Sequence, residues 1–515
     1  MAIPEPTDAY GLWPRVRAVT GWITSDEDQV AALGDDWRGA GAHFADAAAA
    51  HRIGDLGAMW GDDVGALFDT RVAGNRERAA GEAVRMTALA ERADQFAGEI
   101  TRVKTGINGI IDANLDTYAM LGVLPAGLGQ VAQSVYATQV AGLVEQLITE
   151  SAGRLADTVP SPPPAGATPE ENAAYWRSLT PEQRDRLARE RPELVGGRDG
   201  FGATHRDVAN RVLLTREKAA LAAERERLLD RMARNPSAYP VELGRLTEID
   251  DELAGIGVIE SRLNQEGYYL LGFDTRGPGE DATAVVTRGN PDTAGHVATY
   301  VPGAESHFNE MDRLLRESDS MYASANRTDP ANPDSAVITW LGYDAPDTVF
   351  HAVSPAYAEA AKGRLDDFQH GLRAADEGPR AHHTVVGHSY GTVVTGYAAR
   401  DEHLPVDDVL AMGSPGMGVR TAAELNVPDD RVWVLENNDD LVADTQAHGY
   451  DPGDDAFGAR QLSADPEGRQ PTRWWEVDLL DAREPHEDYF YRKDGKDPAY
   501  HNIGDVIAGR PPSHP

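Results

Sequence analysis

The sequence predicts two kinds of structure in one chain: an all-α N-terminal part, then an α/β domain built on a mostly parallel sheet with helices on both faces. Three observations lead there. From Ser25 to about Ala113 the chain is Ala-rich, free of proline and periodic in a helical way. From Gly267 onward a period of about 3.6 gives way to short apolar runs bounded by glycine and proline. Finally, Gly387-His388-Ser389-Tyr390-Gly391 stands between the apolar run Thr384-Val385-Val386 and the helix-like stretch Thr392–Arg400, a strand–turn–helix setting in which two glycines permit a tight turn.

Composition bounds the reading. A length of 515 residues accommodates about three domain-sized pieces, each of the larger ones with its own core. The absence of cysteine removes disulfides, thiolate metal sites and a Cys nucleophile. A formal charge of -36, from 84 acidic against 48 basic residues, repels phosphate backbones and anionic headgroups, so nucleic acid is not expected as a partner. Met1-Ala2-Ile3-Pro4-Glu5-Pro6 has neither a basic n-region nor an apolar h-region, so no general secretory signal peptide is expected and the chain reads as cytoplasmic or exported by another route. The long uncharged stretch Thr117 to Val144 contains Pro125, Gln130, Gln133 and Gln139; it reads as a buried helix pair, and no transmembrane segment is expected.

In order along the chain, residues 1–155 read as a helical bundle opened by a capping box, Ser25 with Asp28. Trp37-Arg38-Gly39 lies in one helical segment and Trp60-Gly61 near a turn into the next, whose face carries Met86, Leu89, Ala93, Phe96 and Ile100. This region resembles the WxG-type helical-hairpin domains associated with type VII secretion in actinobacteria, which implies a type VII-like export route and a helical protein partner for the bundle. The tryptophans also read simply as core anchors. Residues 156–170, with Val159-Pro160-Ser161-Pro162-Pro163-Pro164, read as an extended linker. Residues 171–265 read as a helical segment ending in an antiparallel coiled-coil hairpin around Asn235-Pro236, with Leu214, Leu221 and Leu228 on one arm and Leu246, Ile249, Leu253, Ile256 and Leu263 on the other.

Residues 266–515 read as the catalytic domain. Tyr268–Asp274 and Ala282–Thr287 form a hairpin, and strands follow at His296–Val301, Ala336–Trp340, before Ser389, Val409–Met412, Val432–Leu435 and Trp474–Leu479. Helices are expected near Phe308–Tyr322, Tyr357–Ala374 and after Ser389. This order matches the α/β-hydrolase fold.

In that fold an acid follows the nucleophile and a histidine follows the acid. Ser389 is the candidate nucleophile. After Val432–Leu435 comes Glu436-Asn437-Asn438-Asp439-Asp440-Leu441-Val442, which resembles the acid loop of the fold; the register of an Asp, one variable residue and two apolar ones selects Asp439, with Asp440 as the alternative. His486 follows the last expected strand closely and is preferred as the base over His501, which heads a terminal helix. For the oxyanion, the N–H of Tyr390 is expected to pair with that of Ala304 in Pro302-Gly303-Ala304-Glu305. Tyr343 and Met417, on loops at the carboxyl ends of strands, are expected as substrate-pocket walls, and Ser414 as a turn residue.

Taken together, the segment with Trp176 and Arg206-Asp207-Val208-Ala209-Asn210-Arg211, then Trp340-Leu341-Gly342-Tyr343-Asp344, Gly387-His388-Ser389-Tyr390-Gly391 and Gly413-Ser414-Pro415-Gly416 resemble an actinobacterial family of α/β hydrolases classified as a domain of unknown function. The Gly-Ser-Pro-Gly turn resembles one common in lipases. The resemblance implies a Ser-His-Asp hydrolase without naming its substrate, and implies no cofactor; a small-molecule or lipid ester is the substrate expected, and no metal cluster with ligand spacing is expected. Two other readings stand beside it: a type VII-associated effector whose role is binding, and an acyltransferase using the same triad.

Overall fold

The computed structural model describes residues 2–50, 63–125, 127–157, 159–234, 239–275, 281–376, 378–437, 440, 442, 445–464, 486, 489, 490 and 497–512. The chain falls into two units, Met1–Gln183 and Arg184–Pro515.

The first unit is built from α1 (Leu12–Thr20), α2 (Glu27–Ala50), α3 (Asp63–Leu121), α4 (Leu128–Asp157) and α5 (Pro169–Ser178). Along α3, Ala90, Ala93, Ala97, Ile100, Val103, Ile107 and Ile111 recur every three or four residues and are buried, the stripe a helix needs to pack on neighbours. Phe96, expected on that face, is instead 43% exposed; it sits one position off the alanine stripe. The start of α2 is capped by Asp26, whose carboxylate accepts the N–H of Asp28 and Gln29, and not by Ser25. The anchoring tryptophan is Trp13, buried and edge-on to Trp22 at 5.8 Å, whereas Trp37 is half-buried and Trp60-Gly61 lies outside the described residues. Lys104 and Glu27 form a buried pair at 2.6 Å; burial alone would raise the Glu27 pKa, but Lys104 holds it down at about 2.

The uncharged stretch does form a helix pair, but only one face is covered. Tyr118, Ala137, Val140 and Val144 are buried, while Leu128, Val131 and Val135 face solvent. No helix among the described residues is long and apolar enough to cross a membrane. The proline segment lies against the first unit, with Pro160 O accepting from Tyr175 and Ser161 N donating to Glu91. The division between the two units falls after Gln183, and the proline segment lies within the first of them.

The second unit begins within α6 (Pro181–Glu190) and continues through α7 (Ala203–Arg234) and α8 (Tyr239–Leu263). Leu214, Leu221 and Leu228 of α7 and Ile249, Ile256, Ile259 and Leu263 of α8 share one hydrophobic core with the sheet, so the coiled-coil arm is part of this unit's interior; its expected turn at Asn235-Pro236 is outside the described residues. The polar run Arg206–Arg211 on α7 is structural: Asp207 accepts the N–H of Leu270 at 2.8 Å, Asn210 donates to Leu270 O at 2.9 Å, and Arg211 donates to Tyr268 O at 3.1 Å.

Among the described residues the sheet has eight strands: β1 (Tyr268–Asp274), β2 (Thr283–Arg288), β3 (His296–Val301), β4 (Ser335–Leu341), β5 (His382–His388), β6 (Asp408–Met412), β7 (Val432–Glu436) and β8 (Arg460–Ser463), in the order β1-β2-β4-β3-β5-β6-β7-β8. β1 and β2 are antiparallel and β2 meets β4 antiparallel; from β4 to β8 every pairing is parallel. This is the α/β-hydrolase arrangement. The helices α9 (Met311–Ala325), α10 (Ala356–Ala375), α11 (Tyr390–Asp401) and α12 (Pro498–Ile507) complete it, and strand β5 lies mid-sheet, buried along nearly its whole length. The expected strand Trp474–Leu479 is outside the described residues, and β8 stands where none was expected.

Candidate active site

β5 ends at His388, and the next residue turns sharply: Ser389 has φ 53 and ψ -128, a conformation that costs a side-chain-bearing residue of order 1–3 kcal/mol. The flanking glycines make it sterically feasible. A Cβ at Gly391 would stand 2.0 Å from the Val301 carbonyl oxygen, and one at Gly387 2.8 Å from Thr392 Cα, because β3, β5 and α11 meet backbone to backbone here. Ser389 N–H donates to Met412 O at 3.0 Å, tying the turn to the end of β6.

His486 comes from the C-terminal part of the chain. Its Nδ1 lies 2.9 Å and 2.8 Å from the two carboxylate oxygens of Asp440, so Nδ1 carries the proton and Nε2 is the ring nitrogen left for exchange. Asp440 is buried and also accepts from Tyr489 Oη at 2.7 Å and Val442 N at 3.0 Å. Burial pushes its pKa up, but the His486, Tyr489 and Val442 donors outweigh that and hold it below the usual carboxylate value. Burial, with the Asp440 charge beside it, drives the Tyr489 pKa well up, so its hydroxyl remains a donor.

His388 supports the same histidine from the other side. Its Nε2 donates to His486 O at 2.8 Å, and the two rings lie 4.9 Å apart. Burial, then the neighbouring His486, push its pKa down to about 3, so it stays neutral and adds no positive charge beside an imidazole that must become an imidazolium.

A cavity of about 420 Å³ opens between these groups, with Ser389, His388, Tyr390, His486, Gly303 and Ala304 in its wall. The N–H of Tyr390 lies in the first turn of α11, and Ala304 follows β3 on the opposite side; among the described residues neither amide donates to a protein acceptor. Gly303 packs against the nucleophile so closely that a Cβ there would lie 2.6 Å from Ser389 Cβ.

Several expectations need correcting. The carboxylate beside His486 belongs to Asp440 and not to Asp439, which lies outside the described residues; one position is all that separates them, and an irregular loop offers no period to set its register. Tyr343 is not a pocket wall: it is buried, its hydroxyl donates to Pro302 O at 2.7 Å, and it stacks on Trp340 at 6.0 Å, so it holds the loop that carries Ala304 from behind. Met417 is buried under α11, where its backbone blocks any Cβ at Gly396, and it is absent from the cavity wall. Ser414 is buried with its hydroxyl 2.7 Å from Thr392 Oγ1. His501 lies on α12 against Tyr500 and away from the cavity wall.

The sequence reading missed Tyr489 and His388 as supports, although both lie within three residues of a candidate. It also missed a cluster of possible metal ligands: Asp281, His307 and Asp347 bring one ligand atom each within 4.8 Å of one another, from three separate loops. His307 Nδ1 lies 3.0 Å from Asp281 Oδ2, and this hydrogen bond raises the His307 pKa.

Comparison with known proteins agrees with this architecture. Residues 277–449 match the family model described as alpha/beta hydrolase, and residues 2–144 match the one described as WXG100 like domain. The chain is 29% identical over 391 residues to the uncharacterized protein Rv2079 of Mycobacterium tuberculosis, covering 68% of this chain and 56% of that protein, so it spans little more than half that relative's length. It is 32% identical over 224 residues to the uncharacterized protein Rv0963c of Mycobacterium tuberculosis, covering 41% of this chain and 84% of that protein. Among solved structures, dienelactone hydrolase from Anabaena variabilis aligns with 13% identity, 42% of this chain, 94% of that chain and a TM-score of 0.24. The chain belongs to the α/β-hydrolase family, with a WXG100-like domain ahead of its hydrolase domain.

Proposed function

We propose that the protein is a serine hydrolase of carboxylic esters, with Ser389 as nucleophile, His486 as general base and acid, and Asp440 as the orienting carboxylate. The observation that carries this reading is His486, bonded to the buried Asp440 at 2.8 Å, in the wall of the cavity that also holds the strained Ser389. Ser389 Oγ attacks the ester carbonyl carbon while its proton passes to His486 Nε2, and the resulting imidazolium is stabilised by Asp440. The N–H groups of Tyr390 and Ala304 receive the oxyanion. Collapse expels the alcohol, which takes the proton from Nε2 and leaves an acyl-Ser389; water, deprotonated by His486, then releases the acid and restores the hydroxyl.

A fluorophosphonate probe tests the assignment. It should label one serine stoichiometrically, and Ser389→Ala should abolish labelling; labelling that persists in that variant refutes the nucleophile. The WXG100-like match favours a type VII-like route for export of the chain, which secretion-competent and secretion-deficient hosts distinguish.

A further inference from the structure

We infer that the segment between β4 and α10 is an acyl platform, and that the substrate is an ester of a long, uncharged aliphatic acid whose chain leaves the cavity across Val349, Val353 and Phe350. This rests on the ester-hydrolase reading and names its substrate class. Val349, Ala352 and Val353 line the cavity that contains Ser389 and His486, yet Val349 is 60% exposed and Val353 64%. Phe350, between them in sequence, is 83% exposed. Three large apolar side chains facing water on one short turn, continuous with a cavity also lined by Val442 and Ala447, form a surface that needs apolar cover.

The segment is held in place by hydrogen bonds to its neighbours, so its exposure is not the result of a loose loop. Pro346 O accepts the N–H of Glu305 at 2.8 Å, from the loop that carries Ala304. Ala352 O accepts from His448 Nε2, and Ser354 O from Tyr390 Oη, the side chain next to the nucleophile. Within the turn, His351 and Ala352 N–H both bond Thr348 O at 3.0 Å. An apolar surface fixed in advance to both halves of the oxyanion site binds a chain without an ordering cost, and its position sets where the chain lies when the carbonyl reaches Ser389. The chain's formal charge of -36 weighs against an anionic lipid surface as the occupant and leaves the aliphatic tail of a single ester molecule.

A methylene that becomes fully buried improves binding by about fourfold, and one laid on a half-open surface by about twofold. The test is kcat/KM on p-nitrophenyl acetate, hexanoate and dodecanoate below their aggregation limits, using the full chain and its Phe350→Ser and Val353→Ser variants. In the unaltered protein the dodecanoate-to-hexanoate ratio should exceed unity. Each variant should lower that ratio by about fivefold to tenfold, through KM, since removal of apolar contact area weakens ground state and transition state together. A ratio insensitive to both variants overturns the platform while leaving the hydrolase intact.

If no ester is turned over, the hydrolase reading fails by itself. Binding of 2-heptanone and 2-tridecanone to the Ser389→Ala chain then decides the platform: tighter binding of the longer ketone, weakened by Phe350→Ser, supports it, and equal binding overturns it. Sedimentation of the same variants covers the other occupant. A change in oligomeric state with an unchanged chain-length ratio would make this surface an interface between copies and defeat the proposal.

Discussion

Replacing Asp440 by Asn probes the site most directly, because each carboxylate oxygen has a known donor. Oδ1 accepts the Val442 N–H at 3.0 Å and Oδ2 accepts Tyr489 Oη at 2.7 Å, while His486 Nδ1 reaches both. An amide keeps one acceptor. The Val442 N–H cannot reverse its role, but the Tyr489 hydroxyl can, so the amide oxygen stays beside Val442 and the NH2 takes the Oδ2 position, 2.8 Å from His486 Nδ1. There it opposes an Nδ1–H and favours the tautomer with the proton on Nε2, which cannot accept the Ser389 proton. The expected loss in kcat is about 10⁴-fold, or about 5.5 kcal/mol of transition-state stabilisation. The assay is steady-state hydrolysis of a short p-nitrophenyl ester, beside a melting curve to establish that the variant folds. Asp439→Asn is the control. If Asp440→Asn stays within about tenfold of the parent while Asp439→Asn loses about a thousandfold or more, the assignment of the acid is wrong.

Two further outcomes follow from burial and from the unit boundary. His388 is held at about 3 against an ordinary 6.5, so the unfolded chain binds its proton first; its contribution to stability is present above about pH 6.5 and is lost as the pH falls toward 3. His388→Gln should flatten the stability-versus-pH curve by up to about 1.4 kcal/mol per pH unit in that window, measured by urea unfolding, and parallel curves would mean His388 is not neutral in the fold. A fragment beginning at Arg184 should fold cooperatively and keep its ester hydrolysis, whereas one beginning at Pro169 would carry α5 with Tyr175 and Trp176 torn from the unit that buries them. An inactive but folded fragment from Arg184 would show that the first unit helps build the site.

Much of the second unit is legible in the sequence because its central strands are buried on both faces and read as mostly apolar runs, as in Val297–Val301, interrupted by Thr299, and Val409–Met412. β8 was not: Arg460–Ser463 buries only Leu462, so there was no run or alternation to read. Ser389 was legible because the glycines beside it are demanded by backbone contact, and that demand shows as sequence. The carboxylate that meets His486 was legible only to within a residue, since Asp440 is selected by the position of His486 and Tyr489 in space. The pocket wall was least legible. Tyr343 and Met417 sit at strand ends as expected, but strand-end position does not say which way a side chain turns, and both turn into the core. The residues that do line the cavity, Val349 and Val353, come from an irregular turn without a pattern.

The clamp that α7 places on β1 has a consequence for the protein in company. β1 is the last strand on its side of the sheet, and an unprotected last strand is a template on which another chain can add itself. Here the outward-facing groups at Tyr268 and Leu270 are already occupied by Asp207, Asn210 and Arg211, and the ladder is broken by a bulge between Leu270 and Gly272. At the opposite border the last strand among the described residues is only four residues long. The β1 border is thus occupied at Tyr268 and Leu270, and a substitution that removes the Asp207 or Asn210 side-chain bonds would reopen it: its first symptom would be fibrous or amorphous precipitation at high concentration.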